Sequence, residues 1–140
     1  MAYRFESLEV WQLALAYANR IYALAERLPR SEDYNLKSQI TRAATSIALN
    51  VAEGSTSQSD TEQARFLGLA IRSLIETVAC QHLIHQRSYL DDSAPLREAY
   101  QFSHRLFAKL QAFRTSLRGE STAREESTEY ETDIETPFDQ

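Results

Sequence analysis

The stretch Leu36–Gly54, with the sequence LKSQITRAATSIALNVAEG, decides the fold of this chain of 140 residues. Its apolar side chains recur in steps of three and four residues, which places them on one face of an α-helix. The residues of that face are Leu36, Ile40, Ala43, Ile47 and Val51. We therefore predict an amphipathic helix from about Asn35 to Glu53, with Gly54 as its left-handed C-cap.

The same spacing predicts three further helices around this one. Their bounds are about Ser7 to Leu28, Ser59 to Tyr89 and Ser93 to Arg118. The segment Ser59–Glu62 (Ser-Asp-Thr-Glu) is a capping box that starts the third helix. Short connections between long amphipathic helices favour antiparallel neighbours. The sequence therefore predicts an all-α fold, an antiparallel up-down-up-down four-helix bundle.

Composition and length agree with one small globular domain. Hydrophobic residues make up 43% of the chain and charged residues 25%, and there are only three Gly and three Pro, too few for the turns of an all-β protein. The single cysteine, Cys80, excludes an internal disulfide framework. No run of about 18 apolar residues is present, and residues 1–6 lack the apolar core of a signal peptide. We expect a cytoplasmic protein with no membrane partner.

The net charge of −5 is unevenly distributed along the chain. Residues 1–118 carry 14 Lys and Arg against 12 Asp and Glu, whereas residues 119–140 carry one Arg against eight acidic residues. We predict a bundle over residues 1–118 and a disordered acidic tail over residues 119–140. Masking of a basic surface and binding of a partner are the functional alternatives for this tail.

The stretch Leu36–Gly54 closely resembles the signature of the four-helix-bundle proteins of the 23S rRNA intervening sequence. This family includes the accessory variability determinant of diversity-generating retroelements. Further matches are Phe5–Trp11, Leu28-Pro29 with Glu32 and Tyr34, and Phe66-Leu67 with Ala70, Ser73 and Glu76. The resemblance implies a small bundle that is not an enzyme. It also implies a homo-oligomer, with a pentamer favoured, that binds RNA or DNA and a reverse transcriptase or another protein partner.

A polar stripe beside the apolar face of the second helix is the first candidate site. It comprises Gln39, Arg42, Ser46, Asn50 and Glu53. Charges beside a buried face need partners, and Glu76 on the third helix is the expected partner of Arg42. We interpret these residues as a structural polar network; a ligand or partner site is the alternative. A catalytic dyad of Glu53 and Glu76 lacks an accompanying nucleophile, glycine-rich loop or metal set.

The fourth helix carries five basic residues against the single acid Glu98. They are Arg97, Arg105, Lys109, Arg114 and Arg118. We predict that they contact nucleic acid, because modest patches repeated around a ring of subunits add their phosphate contacts. A solvated helix surface is the alternative.

The histidines and the cysteine of the third helix indicate no cofactor or metal. His82 and His85 are three residues apart, but no carboxylate in the same turn completes a ligand set, so we predict a solvated face. Cys80 lies on an apolar stripe and is expected to be a buried, inert thiol.

The function predicted overall is that of a self-assembling, nucleic-acid-associated accessory or scaffold protein. The alternative is a protein-interaction module without a nucleic-acid function.

Overall fold

A computed structural model describes residues 2–119 and 134–139, and within them the predicted all-α four-helix bundle is confirmed. The helices are α1 (Glu9–Ala25), α2 (Leu36–Gly54), α3 (Asp60–Gln86) and α4 (Ala94–Leu117). Short 3-10 helices at Arg4–Ser7 and Arg30–Glu32 were not expected from the sequence. Helix α1 packs against α2 and α4, and α3 packs against the same two helices. The four helices therefore enclose one core, with α1 and α3 on opposite corners.

The helix ends follow local hydrogen bonding. Ser59 is the N-cap of α3, and its hydroxyl accepts a hydrogen bond from the Glu62 backbone N–H at 3.1 Å. The reciprocal half of the predicted capping box is replaced, because the Glu62 carboxylate pairs with Arg65 at 2.7 Å. Ser93 precedes α4 as predicted, but the Asp92 carboxylate accepts from the Ala94 N–H in its place.

Gly54 corrects the prediction of a left-handed C-cap. The helix continues through Gly54, and the cap that follows, Ser55, has right-handed backbone angles. Gly119, with φ of 72°, is the glycine that adopts the left-handed conformation. A Cβ at Gly54 would lie 2.8 Å from the Cβ of Phe66. Glycine is needed there because α2 and α3 approach too closely for any side chain.

The core contains a chain of buried polar groups. The Tyr17 side chain is fully buried, and its hydroxyl lies 2.7 Å from Thr77 Oγ1 and 3.0 Å from Gln81 Nε2. Because the Thr77 hydroxyl donates to the Leu74 carbonyl at 2.6 Å, Tyr17 donates to Thr77 and accepts from Gln81. Burial is the main cause that raises the pKa of Tyr17 far above its usual range. This chain of hydrogen bonds connects the opposite helices α1 and α3.

Glu32 holds the first connection against the start of α2 and the end of α3. One carboxylate oxygen accepts from the Asn35 amide at 2.9 Å and from the Leu36 N–H at 3.2 Å, and the other accepts from the Tyr89 hydroxyl at 2.5 Å. These bonds, with that from Tyr89 the strongest, lower the pKa of Glu32. Glu32 thus caps α2 from outside the helix.

An aromatic contact holds the chain before α1 against the bundle. The Phe5 ring packs edge-on against Trp11 at 4.6 Å between ring centres.

Helix α3 is long and apolar enough to cross a membrane by length and composition, although 44% of its most apolar 18-residue stretch is buried in the bundle. The core helix of a soluble protein passes the same test, so this is weak support for a membrane span.

Residues 134–139 differ from the disordered tail predicted over residues 119–140. They pack on the bundle, and Phe138 is only 1% exposed. The acidic composition of the tail predicted disorder, but one aromatic side chain with an apolar place to lie stabilises an ordered segment. Residues 120–133 and 140 of the predicted tail lie outside the described residues.

Candidate nucleic-acid interface

Four arginines from two antiparallel helices surround one cleft between α3 and α4. Helix α3 contributes Arg65 and Arg72, and the end of α4 contributes Arg114 and Arg118. The cleft has a volume of about 500 Å³, and among the described residues that line it Glu62 is the only acid. The antiparallel packing creates this cluster, because it brings the first half of α3 beside the last turns of α4.

Arg114 occupies the floor of the cleft. Its guanidinium lies over Gly68 of α3, where a Cβ would be 3.4 Å from Nη2, an ordinary contact distance. The Nε–H of Arg114 is buried and has no hydrogen-bond partner in the described residues. An unpaired buried donor on a charged group costs free energy, and an anion bound in the cleft would relieve that cost.

The α3 arginines differ in how strongly they are held. Glu62 binds Arg65 in a bidentate ion pair, which raises the pKa of Arg65 and lowers that of Glu62. The Arg65 guanidinium also lies 4.7 Å above the Phe66 ring. Arg72 is exposed and makes no hydrogen bond or ion pair within residues 2–119 and 134–139. Arg72 is thus the more adaptable contact for a ligand.

The five basic residues predicted on α4 lie in different surroundings in the structure. Arg114 and Arg118 line the cleft. Lys109 pairs with Glu9 of α1 at 3.3 Å, Arg105 lies 5.9 Å from the Phe102 ring, and Arg97 contacts the segment 134–139. The predicted basic surface is therefore concentrated at the α3–α4 cleft and does not extend evenly along α4.

Sequence reasoning missed the two arginines of α3. Arg65, Gly68 and Arg72 are spaced by three and four residues, so they share one face of α3. This spacing was a usable signal, but its meaning depends on α4 lying alongside, which the sequence of α3 does not contain.

The predicted polar network of α2 is local. Gln39 donates to Asn35 at 2.9 Å, Arg42 donates to Ser38 at 3.0 Å, and Asn50 donates to Ser46 at 3.0 Å. The only hydrogen bond from this stripe to α3 in the described residues runs from the Ser73 hydroxyl to the Ser46 hydroxyl at 2.9 Å.

The charged members of the predicted network are exposed in the single chain. Arg42, Glu53 and Glu76 all lie at the surface, and no ion pair joins Arg42 to Glu76 among the described residues. The expected partner for Arg42 is replaced by Ser38, one helical turn away. A helix surface satisfies these charges with water, so burial does not force them together.

Cys80 and the α3 histidines take different roles. Cys80 is buried, and its burial raises the pKa of the thiol to about 11, in agreement with an inert side chain. His82 is exposed, in agreement with the predicted solvated face, whereas His85 is half-buried, and both rings also lie 5.1 Å from the Phe138 ring. The described part of the chain contains no group of three or more metal-ligating side chains.

Fold and site together define a class: a small helical bundle with an arginine-lined cleft between two of its helices. A sequence model of the family described as 23S rRNA-intervening sequence protein matches residues 6–111. The match covers all four helices except the end of α4, and the chain belongs to this family. A search of curated proteins finds no significant match.

Proposed function

We propose that the chain is a non-catalytic, self-assembling accessory or scaffold protein that binds nucleic acid through the α3–α4 cleft. The observation that carries this proposal is the convergence of Arg65, Arg72, Arg114 and Arg118 around a cleft whose described lining includes one acid, Glu62. The family description refers to 23S rRNA, so RNA is the first ligand to test and DNA the second.

The arginine cluster has the chemistry that a phosphate backbone requires. A guanidinium presents a planar fork of N–H donors that matches phosphate oxygens. Each neutralised phosphate also releases condensed counterions, so such binding weakens as salt rises. One cleft supplies few phosphate contacts. Binding of useful affinity therefore depends on several copies acting together.

Apolar residues on the bundle surface support self-assembly. Leu15 and Tyr22 lie two turns apart on α1, and Leu49 lies one turn beyond Thr45, whose hydroxyl hydrogen-bonds Tyr22. A second exposed set, Ile75 and Leu83, lies two turns apart on α3. Because α1 and α3 occupy opposite corners of the bundle, these sets can pair head to tail, which is the geometry of a closed ring. We propose a ring of five copies, the number that the family resemblance implies.

Charge reversal in the cleft tests nucleic-acid binding. We expect labelled single-stranded RNA to bind at low salt, and the variants Arg72→Glu and Arg118→Glu to bind more weakly. Each lost phosphate contact should reduce the slope of log K against log salt by about 0.7. Fluorescence anisotropy between roughly 50 and 200 mM salt measures both effects, with a DNA of the same sequence in parallel.

Arg27→Glu is the matched control, because Arg27 is exposed at the end of α1 and makes the same change in net charge. It should retain most of the affinity. The proposal fails if neither nucleic acid binds at low salt, or if Arg27→Glu weakens binding as much as the cleft variants do.

A further inference from the structure

The segment Ile134–Asp139 lies against α3 and α4, beyond the arginine cleft, and is held by both side-chain and main-chain contacts. The Phe138 ring is enclosed by His82 and His85 of α3 and Tyr100 of α4, with ring centres 5.1 to 5.7 Å apart. Gln101 donates from its amide to the Ile134 carbonyl at 3.1 Å. We call this place the α3–α4 groove.

Arg97 contacts the last two residues of the segment, Phe138 and Asp139. Its Nη1 donates to the Phe138 carbonyl at 3.4 Å, and its Nε lies 3.9 Å from Asp139 Oδ1. One guanidinium therefore contacts both a main-chain carbonyl and a carboxylate. The groove matches an aromatic side chain followed by an acid, and it does so with groups from two helices.

Within the groove, the segment forms a turn that its own side chains close. The Asp139 carboxylate accepts hydrogen bonds from the Thr136 N–H at 3.0 Å and from the Thr136 hydroxyl at 2.9 Å. The Thr136 hydroxyl in turn accepts from the Phe138 N–H at 3.1 Å. These bonds lower the pKa of Asp139. A turn closed by its own side chains reduces the ordering cost of binding.

The connection to the bundle does not force the segment into the groove. From Gln101 to Arg118, the residue that caps α4, the helix spans about 25 Å at 1.5 Å per residue. Residues 120–133 can reach about 50 Å at their full extension. Because the connecting chain exceeds the distance about twofold, the contacts of the segment itself determine where it lies.

We propose that the α3–α4 groove is a peptide-binding site. Its ligand is the Thr-Pro-Phe-Asp turn of the segment 134–139, recognised in trans from a second copy as well as within the chain. The groove recognises a phenylalanine side chain, which it buries, and the carboxylate of the next residue. The groove is separate from the arginine cleft, so this proposal does not depend on whether the chain binds nucleic acid.

The proposal is tested with a labelled peptide that has the sequence of residues 134–139. The peptide is added to the full chain carrying Phe138→Ala, whose own segment no longer fills the groove. We expect saturable binding by fluorescence anisotropy. A peptide with alanine in place of the phenylalanine should bind about 10- to 100-fold more weakly, because most of its buried apolar area is lost. The wild-type chain, whose own segment competes at high effective concentration, should bind the intact peptide at least about tenfold more weakly.

Arg97→Ala added to the Phe138→Ala chain should remove most of the peptide binding, whereas Arg87→Ala, an exposed arginine near the end of α3, should not. If Phe138→Ala melts well below the wild type, Asp139→Ala replaces it, since that change loosens the turn and keeps every aromatic ring. Absence of saturable binding to a folded chain, or equal binding of both peptides, overturns the proposal.

Discussion

Tyr17 shows what one buried hydroxyl contributes to this bundle. It accepts from Gln81 and donates to Thr77, and so completes a hydrogen-bond chain that ends at the Leu74 carbonyl. The carbonyl oxygen of the Gln81 amide already lacks a partner in the described residues. Without the Tyr17 hydroxyl, the whole Gln81 amide would be buried and unpaired.

Tyr17→Phe should therefore lower the free energy of unfolding by about 1 to 3 kcal/mol, the cost of leaving a buried donor unpaired. Urea unfolding followed by circular dichroism measures this change. Tyr34→Phe is the control, because Tyr34 is 99% exposed and should change stability by less than about 0.5 kcal/mol. Equal effects of the two substitutions would contradict the role given to Tyr17.

Glu32 predicts a particular dependence of stability on acid. Hydrogen bonds from Tyr89, Leu36 and Asn35 lower its pKa in the folded chain. A carboxyl group with a lowered folded pKa contributes stability above its unfolded pKa of about 4.3, and this contribution is lost as the pH falls through the folded value.

Glu32→Gln should thus melt below the wild type at pH 7, and the difference in Tm should shrink below about pH 4. Thermal melts at a series of pH values measure it. The other carboxyls with lowered pKa, Glu62 and Asp139, are present in both proteins and cancel in the comparison. A difference in Tm that stays constant down to pH 2 would show that ionised Glu32 is not the cause.

At the level of helices, the contact between α2 and α3 is limited by Gly54. A methyl group there would lie 2.8 Å from the Phe66 Cβ, which is a rigid point of that side chain. Gly68, in contrast, faces the flexible tip of Arg114 at an ordinary contact distance of 3.4 Å. The two glycines offer a matched pair of substitutions within helices.

Gly54→Ala should destabilise the bundle by about 1 to 3 kcal/mol, since the helices must move apart to accept the methyl group. Gly68→Ala should be neutral or stabilise it by up to about 1 kcal/mol through helix propensity. Chemical unfolding of both variants distinguishes these signs. Stabilisation by Gly54→Ala would show that the close approach of α2 and α3 is not required.

The helices were predictable from sequence because their apolar spacing depends only on residues within each helix. Leu36 to Val51 is the clearest case, and the observed α2 differs from the predicted bounds by one residue at each end. The role of Gly54 was not predictable, since it depends on Phe66 twelve residues later. The same holds for the arginine cleft. Arg114 and Arg118 were predicted as nucleic-acid contacts from the sequence of α4, but the position of Arg65 and Arg72 beside them depends on the packing of α3 on α4.

At the scale of the whole molecule, exposed apolar residues on α1, α2 and α3 predict self-assembly. Leu49 and Ile75 are 55% and 53% exposed and lie on different helices. A head-to-tail ring buries two different surfaces in every contact. A substitution on either of the two surfaces should therefore prevent the ring from forming.

We expect light scattering to give a mass about five times the 16.0 kDa of the chain. Leu49→Glu or Ile75→Glu should reduce this mass towards that of a single chain, because each places an unpaired charge in every interface. Gln58→Glu, a new charge in the exposed loop between α2 and α3, should keep the large assembly. A wild-type protein that remains monomeric at micromolar concentration would contradict ring formation.

The edge-on contact between Phe5 and Trp11 makes the single tryptophan of the chain an optical probe of one place. Its emission reports whether the first turn of α1 and the chain before it remain in contact. Far-ultraviolet circular dichroism, in contrast, sums over all four helices. Coincident transitions by the two signals would mean that the bundle unfolds as one cooperative unit, and an earlier change in emission would mean that its first turn detaches before the rest.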